Sequence, residues 1–250
     1  MAGHSKWANI KHKKARMDAA RGKLWSKCAR AIIVAAKNGG GDPDANLTLR
    51  YAIEEAKAAN MPKDTIQRAV EKGAGTGDGA ADYEAVRYEG YGPGGVAVMV
   101  DVLTDNRNRT APEMRTIFSK VGGNLGATGC VGYNFEQKGV LSIEEPNASE
   151  ERLMDLAIEA GAEDVALEDG AWTVTTGYAD FIAVKEAIDA AGIETLSAEI
   201  TMVPNNTQIL EGADVAKAIR LIDALEDHDD VQKVYTNMDA SAEDLEAATA

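Results

Sequence analysis

Lys6, Lys11, Lys13, Lys14, Arg16, Arg21, Lys23, Lys27, Arg30 and Lys37 fall within the first 37 residues, where one acid, Asp18, stands against them. Cations at that density neutralise phosphates and release their counterions, which is the chemistry of nucleic-acid binding. Trp7, next to Lys6, offers a stacking face, and His12 sits inside the same basic run. Trp25, close to Lys27, suits either stacking or a core. A second constellation, Leu103-Thr-Asp-Asn-Arg-Asn-Arg109, gathers Asp105, Asn106, Arg107 and Arg109 in one short loop. Its guanidiniums have the fork geometry that phosphates and carboxylates accept. The loop is read as a partner or phosphate contact, with plain solvation of a helix start as the alternative.

The rest of the chain carries the opposite sign. Residues 76–250 hold 11 bases against 34 acids, within a total charge of −15. A cationic head on an anionic body takes a polyanion at one end and leaves the body free to meet a protein. G-x-S-x-G, H-E-x-x-H and Walker sequences do not occur. His4, His12, His228, Cys28 and Cys130 have no ligand spacing, so neither a metal nor a cofactor is expected. Gly90-Tyr-Gly-Pro-Gly-Gly95 spells G-x-G-x-x-G, but a strand pattern follows where a nucleotide site needs a helix, and the stretch reads as a turn. Gly122-Gly-Asn-Leu-Gly126 reads as a helix stop and turn. Aromatics make up 5% of the chain, too few for a large ligand pocket, and no small-molecule substrate is expected. Two distant cysteines, no secretory segment and no membrane-length apolar run point to the cytoplasm and away from the membrane.

These groups have to be positioned. Residues 1–20 bury too little to order themselves, so a mobile arm is expected that settles on a partner. From Gly22 a helical period sets Leu24, Cys28, Ala31, Ile32 and Ala35 on one face, up to Gly39-Gly40-Gly41. Lys23, Lys27, Arg30 and Lys37 form a stripe beside that face. A second helix runs from Asp44 to Ala58 with Leu49, Ile53 and Ala56 inward. A third opens at Pro62, buries Ile66, Ala69 and Val70, and stops at Gly73. The Gly-rich stretch 73–82 is a linker. A ββα unit follows, its helix opened by a capping box at Thr110-Ala-Pro-Glu113. Residues 131–203 spell strand, strand, helix, strand, strand, helix, strand. From Gly139 the order is that of a ferredoxin-like domain, with Asp169-Gly170 as a two-residue hairpin turn. The helix and strand after Pro204 have no core of their own and return to the ββα unit. The predicted fold is α+β and multidomain: an N-terminal all-helical domain, then two α+β, ferredoxin-like domains, one inserted in the other. The predicted boundaries are 1–75 for the basic arm and helical domain, 83–130 plus 205–238 for the discontinuous domain, and 131–204 for the insertion.

The stretches MAGHSKWANIKHKKA, GGGDPDAN, NMPKDTIQRA, YEGYGPGG, LTDNRNRT, GGNLG and LIDALEDHDDVQKVYTN occur in this order along the chain. Together they resemble the YebC/PmpR family, whose mitochondrial relatives are translational activators of a cytochrome oxidase subunit. The resemblance covers essentially the whole chain and implies three domains, one helical and two α+β, with one of the α+β domains interrupted by the other. It implies DNA binding, since members are usually described as probable transcriptional regulators. Other members act on the ribosome and ease elongation through proline-rich stretches. Gly3-His4-Ser5-Lys6-Trp7 and the run Lys11 to Arg16 match the family's nucleic-acid-contacting end, and Asp105, Asn106, Arg107 and Arg109 match its shared loop.

The expectation is a non-enzymatic, nucleic-acid-binding regulatory protein, a transcriptional regulator that holds DNA through its basic N-terminal domain. The first alternative is a ribosome-associated translation factor on ribosomal RNA or tRNA. The second is an enzyme with an interdomain site near Asp101, Asp105 and Arg107.

Overall fold

The computed structural model describes residues 21–75, 83–168 and 170–249. The arm 1–20, which carries Lys6, Trp7, Lys11, His12, Lys13, Lys14 and Arg16, and the linker residues 76–82 lie outside the described residues. The chain forms two compact units. One holds Tyr133–Ile209 with Asn237–Ala242, and the other holds the described residues up to Gly132 with Leu210–Thr236 and those from Glu243 onward.

The latter unit begins with three helices, α1 (Arg21–Gly39), α2 (Leu47–Ala58) and α3 (Lys63–Gly73). Cys28, Ile32, Ile33 and Ala36 of α1 pack with Leu49, Ala52 and Ala56 of α2 and with Ile66, Ala69 and Val70 of α3. Trp25 joins them, and its indole N–H donates to the Ala59 carbonyl at 2.9 Å, so it packs a core and offers no stacking face. Leu24, predicted inward, is 45% exposed. The buried face is centred on Trp25, Cys28, Ala29, Ile32 and Ala36, and at about 100° per residue Leu24 points well to one side of it. α2 starts at Leu47 and not at Asp44 because Asn46 is its cap. Asn46 Oδ1 accepts from the Leu49 N–H at 3.1 Å, and its amide donates to the carbonyls of Ala35 and Gly40 at 2.9 Å each. Gly39 makes room for that side chain, since a Cβ there would lie 2.6 Å from Asn46 Nδ2.

The same unit continues with a hairpin of β1 (Glu84–Tyr91) and β2 (Ala97–Thr104), then α4 (Arg107–Lys120) and the short β3 (Asn124–Leu125). Its remaining helix and strand come from far along the chain, α7 (Ala213–Glu226) and β9 (Val231–Thr236). The sheet order is β3-β1-β2-β9 with every pair antiparallel. α4 and α7 pack on this sheet and on each other. β2 is buried along nearly all its length, which is why its sequence runs apolar without alternation.

The other unit contains β4 (Phe135–Glu144), α5 (Glu150–Glu159), β5 (Ala162–Glu168), β6 (Ala171–Gly177), α6 (Phe181–Ala190) and β7 (Ser197–Pro204). Its antiparallel order, β5-β6-β4-β7, is ferredoxin-like. The separate strand predicted ahead of Gly139 is absent: one strand runs from Phe135 through Gly139, and Gly132–Asn134 is a short helical turn. Gly139 is needed for space, because a Cβ there would lie 2.5 Å from Phe181 Cδ2. Gly170, with φ of 78°, closes the hairpin in which Glu168 pairs with Ala171. The short strands β8 (Gln208–Ile209) and β10 (Met238–Asp239) pair in parallel, and α8 (Ala242–Thr249) ends the described chain. No helix among the described residues is long and apolar enough to cross a membrane.

Candidate functional site

Two helix ends that meet in this unit each carry the sign of charge that their own dipoles disfavour. α4 begins with Arg107 and Arg109 in its first turn and no acid there. α7 ends at Glu226 with no base in its last turn, and the chain runs on as Asp227-His228-Asp229-Asp230. The two ends meet and correct each other. Arg109 Nη2 reaches Asp230 Oδ2 at 2.7 Å and Asp105 Oδ1 at 3.0 Å.

The local sequence explains how Arg109 arrives there. α4 starts a turn before the predicted box at Thr110 because Asn106 caps it, its Oδ1 accepting from the Arg109 N–H at 3.2 Å. Thr110, released from capping, donates its hydroxyl to Asp230 Oδ2 at 2.8 Å. That hydroxyl lies 2.8 Å from the Thr104 hydroxyl, which accepts from the Asn106 N–H at 3.0 Å. The Asp230 side chain is only 9% exposed. Burial pushes its carboxyl up, but the hydrogen bonds from Arg109 and Thr110 and the charge of Arg109 outweigh it and hold the group below the usual carboxylate range. The Asp230 N–H donates to His228 Nδ1 at 3.1 Å, so Nε2 carries the imidazole proton and donates to Glu113 Oε2 at 2.9 Å.

The cationic stripe of α1 rests on this segment. Lys23 donates to the Asp227 carbonyl, Lys27 to the Glu226 carbonyl at 2.9 Å, and Arg30 to the Asp229 carbonyl. Longer ion pairs join Lys23 to Asp227 at 3.5 Å and to Asp229 at 3.9 Å, and Arg30 to Asp230 at 3.6 Å. Three cations on one helix face thus cap the C-terminus of another helix that has none of its own. Arg30 also lies over the Tyr83 ring, 5.9 Å from its centroid. Arg30, Tyr83, Arg109, Glu113 and the segment 227–230 line an open cleft of about 540 Å³.

The remaining predicted residues are placed as follows. Arg21 opens α1, and Lys37 is exposed in its last turn, where a cation suits the dipole. Asp105 and Asn106 flank the start of α4, and Arg107 is exposed on its first turn. Burial pushes the Tyr88 phenol up, and the charge of Arg107 opposes that push. Asp101 is held by Arg87 in a two-pronged pair, at 2.6 and 2.9 Å, whereas Asp105 shares Arg109 with Asp230. Sequence reasoning missed the segment Glu226–Asp230 as part of the site. The available signal was an acidic run at a helix C-terminus, a placement the dipole penalises unless cations arrive from elsewhere.

A second buried carboxylate belongs to Glu89 of β1, 5% exposed. It accepts the N–H groups of Gly129, Val131 and Gly132 at 2.9, 2.9 and 2.7 Å. Burial pushes this group up too, and the three main-chain donors bring it down below the usual range. The Gly-rich loop after α4 therefore encloses the protein's own anion. Cys28 and Cys130 are both free thiols, and burial pushes Cys28 up to about 11.

Comparison with known proteins adds three findings. Residues 5–76 match the family model described as the TACO1/YebC protein N-terminal domain, and residues 83–238 match the one described as the TACO1/YebC second and third domain. A "Probable transcriptional regulatory protein" of Rubrobacter xylanophilus is 56% identical over 243 residues, covering 97% of each chain. One of the same description from Desulforamulus reducens is 53% identical over 239 residues, covering 95% of this chain and 98% of the other. The crystal structure of the conserved hypothetical protein Aq1575 from Aquifex aeolicus is similar with a TM-score of 0.81 at 50% identity, covering 94% of this chain and 97% of that one.

Proposed function

The chain belongs to the TACO1/YebC family, and from that premise we propose that it is a transcriptional regulator that grips DNA through its cationic N-terminal segment. The observation that carries this reading is the ratio of ten bases to one acid in the first 37 residues, on a chain of net charge −15. Its relatives, described as probable transcriptional regulatory proteins, agree in kind. First contact falls to Lys6, Lys11, Lys13, Lys14 and Arg16, with Trp7 and His12 beside them, because Lys23, Lys27 and Arg30 are already engaged within the fold. Arg107, exposed on α4, adds a contact to phosphate or to a partner protein. The acidic body is repelled by phosphate and stays in the cytoplasm's solvent, open to protein. This reading requires no enzymatic step.

The test is duplex DNA affinity measured by fluorescence anisotropy across a salt series. The triple variant K11E/K13E/K14E is expected to bind about a hundredfold more weakly, with a log–log salt slope shallower by about 2.7, or ~0.9 for each lost phosphate contact. Equal affinity and slope for variant and parent would overturn the proposal.

One observation favours a second reading, binding to structured RNA on the ribosome. α2 and α3 are joined by a turn as short as that of a helix-turn-helix, yet the outward face of α3 is internally paired. Arg68 donates back to the Asp64 carbonyl at 3.1 Å and Gln67 to Glu71 at 2.9 Å. A face so occupied is a poor reader of base edges, and recognition of shape and backbone suits RNA. A ribosomal RNA fragment that outcompetes duplex DNA at matched salt would select this reading.

A further inference from the structure

We propose that the segment Glu226–Asp230 is an autoinhibitory latch: it occupies the cationic stripe of α1 as a phosphate backbone would, and a nucleic acid displaces its outer part. This rests on the nucleic-acid reading above. Lys23, Lys27 and Arg30 stand at i, i+4 and i+7 on one helix face, and each ends on a main-chain carbonyl of the segment. The negative end of the α7 dipole and the carboxylates of Asp227, Asp229 and Asp230 add to those oxygens. A row of oxygen acceptors with net negative charge is what a stretch of phosphates also offers.

The latch has two parts of unequal strength. In the inner part, Asp230 and Arg30 are 9% and 18% exposed, and Arg109 and Thr110 fix Asp230 from the other side. In the outer part, Asp227 and Asp229 are 87% and 81% exposed, and their ion pairs to Lys23 are long. Exposed pairs of that kind are weak and fade with salt. A polyanion brought in by the basic segment ahead of α1 competes with the outer part first, and Lys23 and Lys27 then turn from the segment to phosphate. Apparent affinity in the resting protein is lowered by the fraction of molecules in which the stripe is covered.

The experiment uses the full chain and a short DNA duplex. D227K/D229K repels Lys23 and uncovers the stripe, and duplex affinity is expected to rise about tenfold, with a salt slope steeper by about 1.8 for two added phosphate contacts. E145K/E159K makes the same charge change at two exposed acids of the other unit and is expected to give a much smaller rise. D227K/D229K placed on K23M/K27M is expected to lose the gain. A gain that persists there would come from the new lysines themselves and would overturn the latch, as would affinity and slope equal to the parent's. A parent that binds neither duplex nor RNA, with K11E/K13E/K14E indistinguishable from it, would instead overturn the nucleic-acid reading and the latch with it. Hydrogen exchange at 226–230 gives a readout independent of affinity: it speeds up on adding duplex if the latch opens, and no change overturns the proposal.

Discussion

Glu89 and Asp230 are buried carboxylates of the same compact unit, and both are held below the ordinary carboxylate range, but by donors of different kinds. Glu89 is enclosed by three main-chain N–H groups of one loop, 129–132. Asp230 is held by the side chains of Arg109 and Thr110, and beyond them by Arg30 of α1. Main-chain donors have no alternative partner while the loop keeps its shape, so the Glu89 site is fixed with the fold. Guanidiniums and ammoniums can exchange one oxygen for another at little cost, so the segment that ends at Asp230 is open to competition at its exposed end, Asp227 and Asp229. The difference teaches where to look for regulation: at anions satisfied by side chains from another element, and not at those satisfied by their own loop.

The largest expected effect is at Glu89. Replacing it with Ala leaves three N–H groups without an acceptor, that of Val131 buried and those of Gly129 and Gly132 half-buried, and unfolding free energy should fall by about 3 kcal/mol, read as a lower urea midpoint. A midpoint within error of the parent would mean that water serves those donors, and the contrast with Asp230 would collapse. Asp230→Ala should cost less, about 2 kcal/mol, because Arg109 and Arg30 are freer to turn toward solvent or their other acceptors. A larger loss there than at Glu89 would reverse the ranking.

Acid titration sharpens the same comparison. Both groups have folded pKa values lowered from the ordinary one, so each adds stability that is complete above its unfolded pKa, near 4, and is lost as pH falls through the lower folded value. The parent should therefore lose more stability between about pH 6 and pH 3 than Glu89→Gln or Asp230→Asn, whose replaced groups no longer titrate. Urea midpoints across that range check it, and parallel curves for parent and variants would refute the assignment of both groups.

Much of this fold was legible because its signals are local. The three helices could be read from period and punctuation, and Ile66, Ala69, Val70, Leu49 and Ala56 are buried where the spacing put them. The ferredoxin-like order of the inserted strands could be read in the same way. The misreadings came from competition between local signals. Thr110 and Asn106 are both good caps, and only the distant Asp230 decides that Thr110 turns away from capping. Gly139 reads as the start of a new strand, and only the approach of Thr176 and Phe181 reveals one continuous strand that needs the room. The candidate site was half legible: the cations could be counted, but their partners lie 199 to 204 residues away along the chain. Helical spacing says which residues share a face and nothing about what the face meets.

The smallest expected effect bears most directly on the contrast. K23M/K27M removes the two outermost cations from the Glu226 and Asp227 carbonyls while keeping much of their aliphatic length. Carbonyls at a helix end that stay near solvent can bind water, and the exposed ion pairs of Lys23 contribute little, so unfolding free energy should fall by less than about 1 kcal/mol. Such a small loss is what a displaceable contact requires: the outer pairs hold the segment in place without holding the fold together. A loss as large as that at Glu89 would make Lys23 and Lys27 structural caps that no polyanion could draw away, and the outer part of the segment would then be as closed to competition as Glu89.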